Sequence, residues 1–250
     1  MRVFARLAAG IAALLLPAAV AAQSLDVLSG GAIEPGILAA AAQYRKETGA
    51  DVKVRFATAP QILKKVGDGE KADVVLAPPG VINDLVKAGK LDGGTRPNVG
   101  RVGVGVASRT GGPTPDNKTT EALKQAVLGA ESIVFNSASS GQYIERLFDK
   151  LGIAAAVKAK EKRYPTGAAV MEHLAKGKGN EFGFGPITEI LQYSGKGVRH
   201  IGPLPADIQN FTTYDAVAHA GATNAAGAKA FLQYLAKPET RKIFAANGVE

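Results

Sequence analysis

The sequence predicts an α/β protein of two lobes, each a mostly parallel sheet flanked by helices, with two strands crossing between them. Three observations carry that prediction. Short apolar strands alternate with helix-length segments from Leu25 onward. The alternation breaks at a turn-rich loop, TGGPTPDNKTT (110–120), and then starts again. Finally, a chain of 250 residues has the length for two lobes of about a hundred residues each once a leader is set aside.

The first series reads LDVL (25–28), a helix from about Pro35 to Thr48, DVKVRFA (51–57), a helix from about Pro60 to Val66, ADVVLA (72–77), and a helix through Ile82, Leu85 and Val86. Pro35 suits the first turn of its helix and Gly49 follows the end, while Thr58 is placed as an N-cap with Pro60 just inside the next helix. In the first helix Ile37, Leu38, Ala41, Tyr44 and Thr48 share one face and are expected in the core. RVGVGVAS (101–108) alternates as a strand does, and its glycines mark a bend or a close backbone approach. Thr119 or Thr120 is the cap of the helix that follows.

The second series runs ESIVFN (131–136), a helix from about Ser140 to Leu151 closed by Gly152, a helix from Thr166 to about Lys176, the strand EFGFG (181–185) and a helix from Pro186 to Tyr193. After VRHIGPLP comes another strand, TTYDAVAHA (212–220), then helices Asn224 to Ala236 and Pro238 to Ala246. That order assigns residues 23–105 and 213–250 to one lobe and 106–212 to the other.

Residues 1–22, MRVFARLAAGIAALLLPAAVAA, carry Arg2 and Arg6, an apolar stretch to Leu16, a break at Pro17 and small residues up to Ala22. This is the order of a secretory signal peptide, with cleavage expected before Gln23. No other stretch has the apolar length to cross a bilayer, so a soluble, periplasmic product is expected. Cysteine is absent, which removes disulfides and thiolate chemistry. Without the leader, 28 basic residues face 22 acidic ones, a net +6 spread among acids without an arginine-rich arm. Nucleic acid is not an expected partner; a small anionic solute is.

Sequence motifs narrow the chemistry further. There is no G-x-S-x-G elbow, no G-x-x-x-x-G-K-[ST] loop and no G-x-G-x-x-G opening a helix after a strand. His173, His200 and His219 stand at no metal-ligand spacing, so no metal and no cofactor are expected. Dispersed acids without aromatic platforms argue against a glycosidase.

What recurs is a strand end, a small or hydroxyl residue, and a helix start. The device appears at Ser29-Gly30-Gly31-Ala32, at Ala57-Thr58-Ala59-Pro60, from Asn136 through Ser139, Ser140 and Gly141, and at Tyr164-Pro165-Thr166-Gly167. Loops of this kind converge outside the carboxyl ends of parallel strands. Helix N-termini aimed at one cleft attract an anion through their free amides and dipoles. The predicted ligand-binding set is therefore Ser29, Gly30, Gly31, Ala32, Thr58, Ala59, Ser139, Ser140, Gly141, Thr166 and Gly167. Arg163 completes the set with a charged fork for a carboxylate, and Gln142 and Tyr143 are near it.

The leader together with YRKETGADVKVRFATA (44–59), KADVVLAPPGVINDLVKAGKL (71–91) and AGAKAFLQYLAKPETRKIFAANG (226–248) resembles the periplasmic molybdate-binding protein family and the wider type 2 extracellular solute-binding proteins. The resemblance runs over essentially the whole mature chain. It implies the type 2 periplasmic-binding-protein fold, a monomeric two-lobed clamp serving an ABC permease in the inner membrane, with hinge crossings near Val104 to Ser108 and Thr212 to Ala216. The family's oxyanion serines fall at Ala32 and near Ala59 or Pro60, its backbone donors near Ser140 and Thr166, and its tyrosine near Pro186. Most of those side chains are missing here, which opens the ligand to organic carboxylates as well as oxyanions. Periplasmic aconitate isomerases resemble this family too, and in that alternative Glu34, Tyr164 and His173 are the groups available for proton transfer.

Overall fold

In the computed structural model, which describes residues 24–250, one hydrogen-bonded path links the strands of two half-sheets. The expected leader lies outside the described residues. β1 (Leu25–Gly30) pairs in parallel with β2 (Val52–Ala57) and β3 (Val74–Ala77), through the crossover helices α1 (Glu34–Thr48) and α2 (Ala59–Gly67). After α3 (Pro79–Lys87) comes β4 (Asn98–Arg109), whose twelve residues serve both half-sheets. The second half holds α4 (Thr120–Gly129), β5 (Ser132–Asn136), α5 (Ser139–Lys150), α6 (Ala154–Lys158), β6 (Glu161–Tyr164), α7 (Gly167–Lys176), β7 (Glu181–Pro186), α8 (Ile187–Gln192) and β8 (Val198–Pro203). β9 (Phe211–Ala218) then returns to pair antiparallel with β3, and α9 (Ala225–Leu235) and α10 (Pro238–Ala246) follow.

The strand order is β2-β1-β3-β9-β4-β7-β5-β6, with β8 also on β4. The inner strands β1, β3, β5 and β7 are covered on both faces, so they are apolar on both sides rather than alternating. Val27 and Val74 face a core with Ile33, Ile37, Tyr44, Phe231 and Phe244, while Leu28 and Val75 face Ile62, Ile82 and Leu85. In the other half Phe135, Phe148, Phe182 and Phe184 pack on one face and Val134, Met171 and Ile190 on the other.

β4 changes partners between Gly103 and Val104. Asn98 to Gly103 pair with β9, and Val104 to Arg109 pair with β7 or β8. At the changeover the Val104 N–H is shared between the Asn210 carbonyl (3.2 Å) and Oε1 of Gln209 (3.1 Å). The Val104 carbonyl accepts from the Leu204 N–H (3.1 Å) and from Nε2 of Gln209 (3.0 Å).

Three local differences from the sequence reading have simple causes. A 3-10 turn, Gly31–Ile33, precedes α1, and the buried stripe is Gly36, Ile37, Ala40, Ala41 and Tyr44. From Ile37 the stripe follows i, i+3, i+4, i+7, with Gly36 beside it; Leu38 is left 44% exposed, and Thr48 bonds back to the Tyr44 carbonyl at the helix end. β6 and β8 were not expected as strands, because EKRY and VRHIGP are mostly half-buried and lack an apolar run.

Candidate functional site

Between the half-sheets lies a cavity of about 300 Å³, lined from both. Its walls are the turns after β1, β2, β5 and β6, each opening a helix, and its floor is the crossing of β4 and β9 at Val102, Gly103, Val104, Thr212 and Tyr214. First-turn amides of a helix have no intrahelical acceptor, so four helix starts bring free N–H groups to one space.

Gly30, Gly31 and Ala32 form one lip. The Tyr214 ring lies over Gly30 so closely that a Cβ there would stand 2.7 Å from Cε1. Thr58 and Ala59 line the next wall, where the Thr58 N–H donates to Oε1 of Gln61 at 2.9 Å. Across the cavity stand Ser139 and Ser140, then Thr166 and Gly167. Ser140 Oγ accepts from Nδ2 of the buried Asn136 at 3.0 Å, and Thr166 caps α7 by accepting from the Ala169 N–H at 3.2 Å.

Three residues of the predicted set are not brought to this space. Ser29 is fully buried and its hydroxyl donates to its neighbour's carbonyl, that of Gly30, at 3.2 Å. Gly141 packs on β5, where a Cβ would lie 1.6 Å from the Asn136 carbonyl oxygen, and its N–H goes to Oδ1 of Asn136. Arg163 turns away to pair with Glu145 at 3.0 Å and to cover the Phe135 ring at 4.6 Å. Gln142 bonds the Ser137 carbonyl and Tyr143 the Ile208 carbonyl, both off the cleft.

Among the proposed proton-transfer groups only Glu34 lines the cavity. Tyr164 and His173 meet each other instead, hydroxyl to Nδ1 at 2.8 Å, in a separate depression. His173 Nε2 lies 3.3 Å from Oε2 of Glu181, which also accepts from Ser132 and Lys162.

The sequence reading missed Glu189, Tyr214, Thr212, Gln192 and Tyr193, all of which line the cavity, as does Asn136 at the start of the third turn. Glu189 matters most. The residue keeps partial exposure to the cleft, yet its Oε2 is sealed from solvent and has no hydrogen-bond partner. Its carboxyl lies between two helix starts: a Cβ on Gly31 would stand 3.2 Å from Oε1, and one on Gly167 only 1.6 Å from Oε2. Burial, with a smaller push from the Glu34 charge, raises this carboxyl to about 7. Burial likewise raises the Tyr214 hydroxyl, with Glu189 adding to it. The available signal was a lone acid within the apolar ITEIL, directly after a strand end. Among the described residues no lysine, arginine or histidine lines the cavity.

Over residues 25–250 the sequence matches the family described as bacterial extracellular solute-binding protein. The chain belongs to that family. An aconitate isomerase from Pseudomonas sp is 31% identical to this solute-binding protein over 235 residues, covering 91% of the chain and 87% of the relative. Among solved structures, the periplasmic molybdate-binding protein of Azotobacter vinelandii superposes with a TM-score of 0.76 at 20% identity, covering 91% of this chain and 99% of that one. The sulfate-binding protein SubI of Mycobacterium tuberculosis H37Rv gives 0.74 at 21%, covering 91% and 86%. The shared architecture is the two-lobed one of periplasmic binding proteins. No helix among the described residues is long and apolar enough to cross a membrane.

Proposed function

We propose that this solute-binding protein is an isomerase of the aconitate type, acting on a tricarboxylate held between its lobes. The observation that carries this reading is Glu189, an unpaired buried carboxyl in a cleft that no cationic side chain lines among the described residues. Its ionisation near neutral pH suits a group that takes and returns a proton.

In the proposed reaction Glu189 removes a proton from the CH₂ of trans-aconitate, leaving an allylic carbanion delocalised over three carbons and into the flanking carboxylate. The proton returns at the other end of the allylic system, the double bond shifts by one carbon, and cis-aconitate forms without gain or loss of atoms. First-turn amides of Gly31, Ala32, Ser139, Ser140, Gly167 and Ala168 are placed to hold the carboxylates and the charge that develops on them. Thr58 and Thr166 supply hydroxyls. Residues 23–105 with 213–250, and 106–212, serve as the two lobes, and residues 1–22 as the export signal to the periplasm.

Incubation of the mature protein with trans-aconitate, followed by proton NMR, is expected to yield cis-aconitate. No conversion at high protein concentration overturns the isomerase reading. The second reading is a receptor for an ABC permease that carries a small oxyanion or carboxylate. It is favoured by the four helix starts on one cavity and by neighbours named for molybdate and sulfate binding. Tight binding of an anion without conversion is its expected result.

A further inference from the structure

An anion in this cleft has to sit beside an acid. Glu34 and Glu189 are the charged side chains that line it, and Glu189 Oε2 has no donor of its own. The ionisable groups around Glu189 are Glu34 at the start of α1, Tyr214 of β9, Tyr193 just past the end of its own helix, Glu172 of α7 within 3.4 Å of the Tyr193 hydroxyl, and His200 of β8. The acids and tyrosines bring no positive charge, and burial pushes His200 below the usual histidine range, against its charged form. Two facing carboxylates in such a space repel with nothing between them, whereas one shared proton turns the same contact into a short charge-assisted hydrogen bond.

We infer that Glu189 is a proton-carrying specificity residue: an anion enters the cleft together with one proton from solvent, and that proton sits on Glu189 and is donated to an oxygen of the ligand. An O–H donor favours the more basic acceptor, so carboxylates are preferred over sulfate, whose oxygens are far weaker bases. Gly31 and Gly167 make room for the acid between the amides that hold the rest of the ligand. The inference rests on the proposed use of this cleft as the anion site and does not depend on turnover.

The test is calorimetry of the mature protein with tricarballylate, the saturated tricarboxylate that has no allylic double bond to move. Titrations between about pH 6 and pH 8.5, in two buffers of unlike ionisation enthalpy, read the protons taken up. Uptake in excess of that by E189Q is expected to approach one proton at the alkaline end, with affinity falling up to about tenfold per pH unit there. E189Q is expected to bind without this uptake and to discriminate less between tricarballylate and sulfate. Equal uptake by both proteins, or no binding of tricarballylate, overturns the inference. An infrared difference spectrum of the unmodified protein reads the same event without a variant: a protonated-carboxyl C=O band should appear on adding tricarballylate at about pH 8, and its absence is equally fatal. Uptake without conversion of trans-aconitate removes the isomerase reading alone; conversion without uptake removes this one alone.

Discussion

A methyl group on Gly167 would lie 1.6 Å from Oε2 of Glu189. Glycine at a helix start is otherwise no advantage, since alanine in a helix is better by about 0.5–1 kcal/mol where it fits. The substitution Gly167→Ala is therefore expected to push the carboxyl out of line and to cut kcat for trans-aconitate by about a hundredfold, the scale of an ångström-sized misplacement. Far-UV circular dichroism is expected to stay unchanged. Full activity in G167A would show that the carboxyl position does not matter.

The ionisation of Glu189 gives stability and activity opposite pH trends. Its folded value of about 7 is above the ~4.3 of an unfolded glutamate, so between these the native state holds a proton that the unfolded chain has released. Stability from this group is complete below about pH 4 and is lost as pH rises through about 7, by on the order of 3 kcal/mol. Thermal melts should show E189Q gaining on the unmodified protein from about pH 5 to pH 8. In the proposed reaction the base form removes the proton, so kcat/KM is expected to rise through about pH 7. Because a bound anion holds the proton on Glu189, kcat should rise at a higher pH than kcat/KM.

The Thr188 hydroxyl donates to the Ala32 carbonyl at 2.5 Å, linking α8 to the first lip of the cleft across 156 residues of sequence. Thr188 is 2% exposed, so Thr188→Val keeps the shape and leaves a buried carbonyl unmet. A cost of about 1–3 kcal/mol follows, lowering Tm by several degrees. Since the next residue is Glu189, kcat is expected to fall more than KM rises. A melt and a kinetic titration on one preparation check both parts.

Arg163 has its charge satisfied by Glu145 and its guanidinium laid on Phe135. Removal in R163A is expected to change tricarballylate affinity less than twofold while lowering stability by roughly 1 kcal/mol. A tenfold loss of affinity would return this residue to the binding set.

The alternation of strands and helices was readable because burial on both faces leaves continuous apolar runs such as ADVVLA, and because Gly49 and Thr58 mark helix ends by their own conformations. The loops that meet at the cleft were readable for the same reason: a helix start after a parallel strand announces where its amides point. Glu189 and Tyr214 were not, because each needs a second segment to become meaningful. Glu189 is an ordinary acid in ITEIL until Gly31, 158 positions away, and Gly167 close on it. Tyr214 looks like any strand aromatic until its ring is found over Gly30. Ser29 misled by the same logic in reverse, since strand alternation turned its side chain into the interior.

At Val104, where β4 passes from one half-sheet to the other, both backbone groups have two partners each, one of them on the amide of Gln209 in either case. A side-chain amide has rotatable bonds that a neighbouring strand lacks, so it can keep its hold while the peptide turns. The joint can thus pivot by handing a bond from backbone to side chain, without any moment at which a buried donor or acceptor is bare. Hydrogen exchange offers the signature: the Val104 amide should stay protected through ligand-driven motion in the native protein and exchange faster in Q209A.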